Sequence, residues 1–452
     1  MKKNLLLNSL NLPVGLISWS VKPTQSGMLK LLFIVLVSLL NIGNASALPS
    51  FARQTGMSCT ACHTSFPELT AFGRLFKLNG YTLATMTSID ATNDSSQVSR
   101  LKLLTVLPLS VMLQTSFTKM AKDVEGVQNN SVAFPQQLSM FYAGQITPHI
   151  GTFIQVTYDG QSIGMDNADV RYANQTAIGT KSLLYGLTLN NNPTVQDVWN
   201  TTPAWRFPSA SSDAALSPTK STIIENLGMQ VAGLGAYTLY NNLLFAELSF
   251  YRSAQQGAAN PADSTTALAI KGAAPYWRLA LQHQWSNTYV ELGTFGIAPQ
   301  QYVNGVSGNM DNFTDLGFDL QLDHSLPFGQ FSLHTSLINE TEHRDLSPTE
   351  HSNLNFNSFK IDANLYFKKG LGGTIGYFNT SGSEDPNVGS YTSKPNSSGM
   401  LFQLEYLPWY NTKFILQYVS YAKFDGSSNN YDSMGRNATN NNTLYLMAWF
   451  NF

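Results

Sequence analysis

The sequence predicts an all-β protein: an antiparallel transmembrane β-barrel of about 16 strands behind a short α-helical N-terminal segment. Three observations lead there: the composition, an export signal and a period-two alternation of apolar and polar residues. Aromatic and charged residues each make up 12% of the 452 residues, and globular proteins ordinarily carry ~25% charged residues. An aromatic-rich, charge-poor chain is typical of a barrel with an apolar outer band. The net charge of −2 excludes the basic surface that nucleic acid needs.

The N-terminus has the features of a secretory signal peptide. Met28-Leu29-Lys30 supplies a basic start, residues 31–40 are apolar except for Ser38, and Ala45-Ser46-Ala47 is a small-residue cleavage site. The apolar run is too short for a membrane span, which needs about 20 residues. Polar sequence follows it directly, which argues against a buried core helix. We therefore predict a signal peptide over 1–47, with 1–27 as a candidate upstream extension, and an exported product.

The only two cysteines stand in Cys59-Thr60-Ala61-Cys62-His63, the attachment pattern of c-type haem. At this spacing two thiols add to the two vinyl groups of the porphyrin, and the adjacent histidine ligates iron from one face. A zinc site wants four ligands and a thioredoxin-like redox pair wants a βαβ setting; the sequence shows neither. It therefore predicts one covalently attached haem c, held by Cys59 and Cys62, with His63 as an axial ligand of the iron.

The second axial ligand stays open. Met57 and Met86 are nearest in sequence, whereas His149, His283 and His334 could point inward from strands. A methionine ligand would raise the reduction potential relative to a histidine. Each of these residues is more often a packing or lumen residue than a ligand.

Residues 48–90 form a short head around the motif. Between Pro67 and Gly80, apolar residues recur at helical spacing: Phe72, Leu75, Phe76 and Leu78. This predicts one amphipathic helix with the proline in its first turn and the glycine at its end. A segment this short seldom folds without a staple or a partner. We therefore expect the head to be a haem plug that packs inside or at the mouth of the next domain.

From 91 to 452, apolar and polar residues alternate in runs separated by Gly, Asn, Ser and Pro clusters. The runs lie at 109–118, 243–251, 277–285, 289–295, 316–323, 330–338, 359–368, 400–407 and 413–421. A soluble β-sandwich would alternate in the same way. Export, the need of so large a sheet to close, and a last run that alternates up to Phe452 favour a porin-like barrel in the outer membrane, with lipid against its apolar face.

Two blocks resemble one known family. They are FARQTGMSCTACHTSFPELT at 51–70 with FGRLFKLNGY at 72–81, and LNNNPTVQDVWNTTPAW at 189–205. Both are similar to the fused outer-membrane monohaem cytochrome–porins of iron-oxidising bacteria; the rest of the chain resembles that family only in architecture. The resemblance implies an oxidoreductase whose single-haem plug takes one electron from extracellular Fe(II) and passes it to a periplasmic cytochrome or copper protein.

Other functions remain open at this stage. The chain could be a solute porin whose haem plug is structural or gating, or an electron conduit for a donor other than iron. One-electron transfer needs no side-chain nucleophile or general base, so no catalytic residue is predicted beyond the haem itself.

Two further segments are candidates for contact with iron or haem. One reads as an inter-strand loop whose carboxylates and imidazoles could coordinate Fe²⁺: Glu340, Glu342, His343, Asp345, Glu350 and His351. A merely solvated loop is the interpretation that we favour there. The block 190–205 either folds inward against the haem or forms an ordered extracellular loop.

Overall fold

The computed structural model describes residues 50–83, 88–90, 102–104, 107–254, 269–303, 306–347, 350–386 and 390–452. The predicted signal peptide (1–47, with its extension 1–27) and Met86 lie outside the described residues, as do the side chains of Glu350 and His351.

Sixteen antiparallel strands form a closed barrel: β1 Leu109–Met120, β2 Ser131–Thr147, β3 Ile150–Tyr158, β4 Ile163–Ile178, β5 Lys181–Asn190, β6 Val231–Tyr240, β7 Leu244–Ser253, β8 Ala274–Trp285, β9 Thr288–Ile297, β10 Met310–Leu326, β11 Gly329–Ser347, β12 Glu350–Phe367, β13 Leu371–Gly382, β14 Ser397–Trp409, β15 Thr412–Lys423 and β16 Thr443–Asn451. Each strand pairs with its neighbours in sequence, and β16 closes onto β1. Strand β9 is interrupted at Pro299, which has no N–H for the ladder, and continues as Gln300–Tyr302 beside β10. The predicted barrel and its strand number are confirmed.

Apolar and polar residues take opposite faces of the wall. On β1, Leu109 and Leu113 alternate with Ser110 and Gln114, which are buried on the inner side. Large apolar side chains remain exposed on other strands, among them Leu234, Leu248, Leu292, Phe318, Ile375 and Leu404. A soluble sandwich would bury these side chains, so the exposed apolar belt identifies the outside of the barrel as its lipid-facing surface.

The two ends of the barrel differ in the length of their connections. At one end, which we call the turn end, every connection is a tight turn: 148–149, 179–180, 241–243, 286–287, 327–328, 368–370 and 410–411. The opposite loop end carries mostly longer connections, and the one between β5 and β6 (191–230) is called the inward loop here. In bacterial outer-membrane barrels short turns face the periplasm and longer loops face outward.

The described part of the head contains three helices: α1 Ser50–Thr55, α2 Cys59–Cys62 and α3 Ala71–Leu78. The expectation that a helix begins at Pro67 is wrong, because the Thr64 N–H donates to the Glu68 carbonyl (3.1 Å) and holds these residues in a turn. The helix begins instead after Thr70, whose hydroxyl accepts from the Gly73 N–H (3.1 Å). It ends as predicted just before Gly80, which has a φ of +71°. No helix in the described ranges is long and apolar enough to cross a membrane.

The head lies inside the barrel, close to the turn end. Its hydrogen bonds and ion pairs reach strands spread around the wall: Gln54 to Ala143 on β2 (2.8 Å), Tyr81 to Asp169 on β4 (2.6 Å), Arg74 to Asp323 on β10 (3.0 Å) and Ser65 to Glu405 on β14 (2.6 Å). The last residues of the head, Ser88–Asp90, pair with Lys102–Leu104 in a separate two-stranded ribbon.

The inward loop fills the lumen beside the head. Its short helix α4, Ile223–Asn226, begins in a capping box between Thr222 and Glu225. Ile223 and other apolar residues of this segment pack against aromatic residues of the wall: Tyr251, Tyr276 and Phe295. The loop is therefore part of the core of the barrel, not a surface excursion.

Candidate cofactor site

The C-x-x-C-H motif occupies one helical turn. Cys59 and Cys62 are the first and last residues of α2, and residues three apart lie on the same face of a helix. His63 follows as the C-cap residue, and its backbone N–H donates to the Cys59 carbonyl (2.9 Å). Both thiols and the imidazole are therefore presented from one compact turn.

Helix α3 holds this turn in place by close backbone approach. The Thr70 N–H donates to the Cys62 carbonyl (2.9 Å), and the Thr70 hydroxyl donates to the Ala61 carbonyl. A Cβ at Gly73 would stand 2.2 Å from the Cys62 carbonyl oxygen. Only glycine fits there, which explains the glycine in a helix that is otherwise apolar and basic.

A cavity of about 450 Å³ adjoins the motif inside the barrel. Cys59, Cys62 and His63 line it from the head, residues of β1–β4 and β16 line it from the wall, and Asp197 and Trp205 line it from the inward loop. Most of its aromatic lining comes from the head and the wall: Phe51, Phe66, Phe72, Phe76 and Tyr81 from the head, and Phe141, Phe153 and Trp449 from the wall. A concave, mainly apolar site with a few polar groups is the usual form of a cofactor pocket.

The donor set of the cavity fits a haem. Burial lowers the pKa of His63 to about 4, an effect that the Pro67 and Glu68 carbonyls only partly oppose. The imidazole is therefore neutral at pH 7, the state in which histidine binds a metal. Its Nδ1 atom is buried and has no hydrogen bond, so one ring nitrogen is uncommitted within the protein.

The two thiols are poor candidates for thiolate chemistry. Burial raises the pKa of Cys59, and burial together with the charge of Cys59 raises the pKa of Cys62 to about 11. Both sulfurs are thus neutral thiols near pH 7, whereas redox pairs and zinc sites use thiolates. Among the described residues, no group of three or more His, Cys, Asp or Glu side chains is arranged to hold a metal ion. Thioether attachment of a porphyrin needs no resting thiolate.

Two ionisable groups of the head are held in low-dielectric surroundings. Lys77 donates from Nζ to the Asp197 carbonyl (2.7 Å) and lies 4.6 Å from the centre of the Trp205 ring; burial, reinforced by Arg171, lowers its pKa to about 7. Burial raises the pKa of Glu68 to about 8, and the Tyr366 hydroxyl donates to its carboxyl group (3.1 Å). The surroundings of the motif thus disfavour charge.

The structure separates the candidates for the distal ligand. Met57 lines the cavity, whereas His149, His283 and His334 do not. His149 is exposed in a tight turn, His283 is exposed beside Trp285, and His334 is paired with Asp362 (3.0 Å). Of the histidines whose side chains the structure describes, only His63 lines this cavity.

The segment 340–351 is mostly strand, so its interpretation as a loop is wrong. Glu340, Glu342, His343 and Asp345 belong to β11, and Glu350 and His351 begin β12. Their alternation turns Glu340 and Glu342 into the lumen, where Lys220 of the inward loop pairs with Glu342 and lies 4.0 Å from Glu340. These two carboxylates hold the loop, and the pairing competes with any ion.

The block 190–205 follows the first of its two interpretations and folds inward. The Asp197 carboxylate accepts from the backbone N–H groups of Trp199 (2.7 Å), Thr201 (2.9 Å) and Thr202 (2.9 Å), which closes a tight turn. This turn buries the Trp199 side chain fully and sets Trp205 on the cavity. The sequence carried no signal for the wall residues of the cavity, such as Phe141 and Trp449, because their strands are remote from the motif in sequence.

No protein-family profile matches the chain, and no curated protein matches it in sequence. Solved outer-membrane proteins are similar in structure. The anion-selective porin from Comamonas acidovorans has a TM-score of 0.46 and 10% identity, over 76% of this chain and 98% of that chain. The outer membrane channel DcaP of Acinetobacter baumannii has a TM-score of 0.44 and 12% identity, over 76% and 96%. A loop-deletion mutant of OmpT from Vibrio cholerae has a TM-score of 0.44 and 9% identity, over 76% and 98%.

The class of the protein follows from its own barrel. In a closed antiparallel barrel every strand is hydrogen-bonded on both sides, so no strand edge is left unpaired in lipid. The apolar outside and polar inside suit a membrane, and porins are barrels of this strand number, 16. The protein is an outer-membrane β-barrel of porin architecture. The candidate functional site lies between the head and the inward loop, which share the lumen.

Proposed function

We propose that the protein is an outer-membrane c-type cytochrome that takes one electron from extracellular Fe(II) and passes it to a periplasmic cytochrome or copper protein. The observation that supports this most strongly is the position of Cys59, Cys62 and His63 on an aromatic cavity inside a membrane barrel. A bound haem c supplies a one-electron iron couple there.

Each part of the cavity has a task in this proposal. Cys59 and Cys62 hold the porphyrin through thioethers, and neutral His63 ligates the iron. The aromatic lining excludes water, which raises the cost of charge on the iron and so tunes the reduction potential. The residues therefore bind and tune the cofactor, and no side chain needs to transfer a proton or form a covalent intermediate with substrate.

The two ends of the cavity suit two different partners. The motif lies towards the turn end, where a soluble periplasmic acceptor would dock. Asp166, near the start of β4 at the loop end, also lines the cavity, and an external donor would approach from that end. The barrel would thus hold one redox centre between two compartments.

The direct test has two steps. Mass spectrometry of the purified protein should find the mass of one porphyrin on the peptide that contains Cys59 and Cys62. Stopped-flow mixing with Fe(II) should then produce the reduced haem α-band, and a double variant Cys59→Ala/Cys62→Ala should show neither signal. The exposed neighbour variant Thr60→Ala is the matched control and should retain both. Covalent haem that Fe(II) fails to reduce across a wide pH range would refute iron oxidation.

A solute porin is the second candidate, because the barrel fold of this protein does not depend on any cofactor. Barrels of 16 strands are wide enough for an aqueous channel, and the inner face is polar. Swelling of liposomes in sugars would support this candidate if the protein conducts. Swelling that appears only after removal of the head would assign it a gating role. A panel of reduced sulfur compounds and other donors tests the third candidate, a conduit for a different electron source.

A further inference from the structure

We infer that Met112, on the first barrel strand, supplies the distal axial ligand to the haem iron; this inference rests on the proposed cytochrome function. The wall, rather than the head, would then provide one of the two axial bonds. The two methionines that the sequence places nearest to the motif, Met57 and Met86, belong to the head and not to the wall.

The position of Met112 breaks the pattern of its strand. The inner face of β1 presents Ser110, Met112, Gln114, Ser116 and Thr118, all buried. Four of the five are polar, as expected for a row that faces a polar lumen. The single thioether stands in the part of the row, 110–114, that borders the cavity. Met112 is 3% exposed, so its sulfur is directed into protein and not into solvent.

The other possible donors of the cavity are less suitable. Haem iron takes His, Met, Cys or Tyr as axial ligands, and among the described residues His63 is the one histidine that lines the cavity. Tyr81 donates its hydroxyl proton to Asp169 (2.6 Å), and the amine of Lys77 donates to the Asp197 carbonyl. In the part of the lining that the structure describes, two thioethers remain, those of Met57 and Met112.

The geometry of ligation favours Met112 over Met57. Two axial ligands must approach the iron from opposite faces of the porphyrin. The short turn that carries Cys59 and His63 covers one face, and Met57 is only two residues before that turn. Met112 belongs to the barrel wall and not to the head, lines the same cavity, and has one weak sulfur contact, with Gln114 Nε2 at 3.6 Å. On binding iron the sulfur would give up only this weak contact.

A thioether ligand has a consequence for the proposed chemistry. Methionine ligation raises the reduction potential relative to bis-histidine ligation, which an acceptor of electrons from Fe(II) needs. It would also connect the head to the barrel through the cofactor, because Cys59, Cys62 and His63 belong to the head and Met112 belongs to the wall.

The test uses the full-length protein with covalent haem. The oxidised protein should show the near-infrared charge-transfer band of a thioether–iron(III) bond, and the reduced protein should show a strongly upfield-shifted methionine methyl proton signal. Met112→Leu keeps the volume and should abolish both signals and lower the midpoint potential. Met57→Leu, the matched control, should keep both signals. Met112→His should restore a six-coordinate low-spin spectrum at a lower potential than the wild type.

The outcomes separate this inference from the function on which it rests. Protein without covalent haem would refute the proposed function itself. Covalent haem with no thioether band in the wild type, or a band that Met57→Leu removes and Met112→Leu does not, would overturn only the assignment of Met112. Should Met112→Leu fail to fold as a heat-resistant barrel on gels, the Met57→Leu and Met112→His spectra still decide the assignment.

Discussion

The two sides of the barrel lumen are built from different chemistry. On the side of β8–β10, charged groups are fully buried: Arg278 pairs with Glu291 and Asp319, and the Thr201 hydroxyl of the inward loop donates to Asp319. On the side of β1–β3 and β16, which borders the cavity, the lining is uncharged: Ser110, Met112, Gln114, Gln137, Phe141, Ala143, Phe153, Gln155, Trp449 and Asn451. Asp166, on the neighbouring β4, is the one charged wall residue in the described lining.

This difference follows from what each side holds. A buried charge must be paired or it destabilises the fold, so the charged wall is complementary to groups of the chain itself and fixes the inward loop. The uncharged wall has no buried charges that need partners, so it can border the cavity. The charged side therefore acts as the support, and the neutral side as the place for a largely apolar cofactor.

The largest effect is expected when the positive charge of Arg278, which pairs with two carboxylates of the charged wall, is removed. Arg278→Met keeps most of the volume but leaves Glu291 and Asp319 unpaired, and removal of one partner of a buried pair costs about 3–5 kcal/mol. Urea unfolding of the purified barrel in lipid vesicles measures the loss. The control is Glu384→Gln, which removes the exposed pair with Lys394 (2.8 Å) and should cost less than about 1 kcal/mol. Equal losses in the two variants would mean that the charged wall is no support.

The barrel wall is the part of the molecule that its sequence predicts well. A period of two along β1, β10 or β12 reports directly which side chains face lipid, since neighbouring residues of a strand point to opposite faces. The motif was also readable, because Cys59, Cys62 and His63 are adjacent in sequence and their chemistry needs that spacing.

The interior was not predictable in the same way. Glu340 and Glu342 lie in a polar run that reads as a loop, and only the barrel reveals that β11 turns them towards Lys220. The cavity combines α2 with strands from both ends of the chain, so no local pattern contains it. Met112 is the one apolar residue in the inner row of β1, and this can be recognised only when the inner face of the strand is known.

A second, smaller effect is expected on the cavity side of the lumen, where α3 packs against the motif. Gly73→Ala would place a Cβ against the Cys62 carbonyl oxygen, so α3 must move away from the motif. Overpacking of this kind costs about 1–3 kcal/mol, and the yield of covalent haem should fall with it. Gly164→Ala on β4 is the matched control, because a Cβ there meets nothing within 4 Å. Haem yield and unfolding midpoint that are the same in both variants would contradict the close packing of α3 on the motif.

The last test concerns Lys77, whose amine donates to the Asp197 carbonyl of the inward loop and whose effect is spread over several pH units. Burial lowers the pKa of Lys77 from 10.5 to about 7. Between these values the unfolded chain binds a proton that the folded protein does not, so the free energy of unfolding rises with pH across this window. Below pH 7 the lysine destabilises the fold by its full amount. One group contributes at most about 1.4 kcal/mol per pH unit.

Lys77→Met removes this titration and keeps the length of the side chain. The difference in free energy of unfolding, wild type minus variant, should therefore increase as the pH rises from about 8 to about 10, because only the wild type gains stability there. The exposed variant Lys369→Met is the control for the loss of a lysine outside the lumen. If the stability–pH curve of Lys77→Met had the same shape as that of the wild type, the ammonium would be solvated in the folded protein. The lumen between the head and Trp205 would then hold water, and the cavity beside it would be a poor place for a haem.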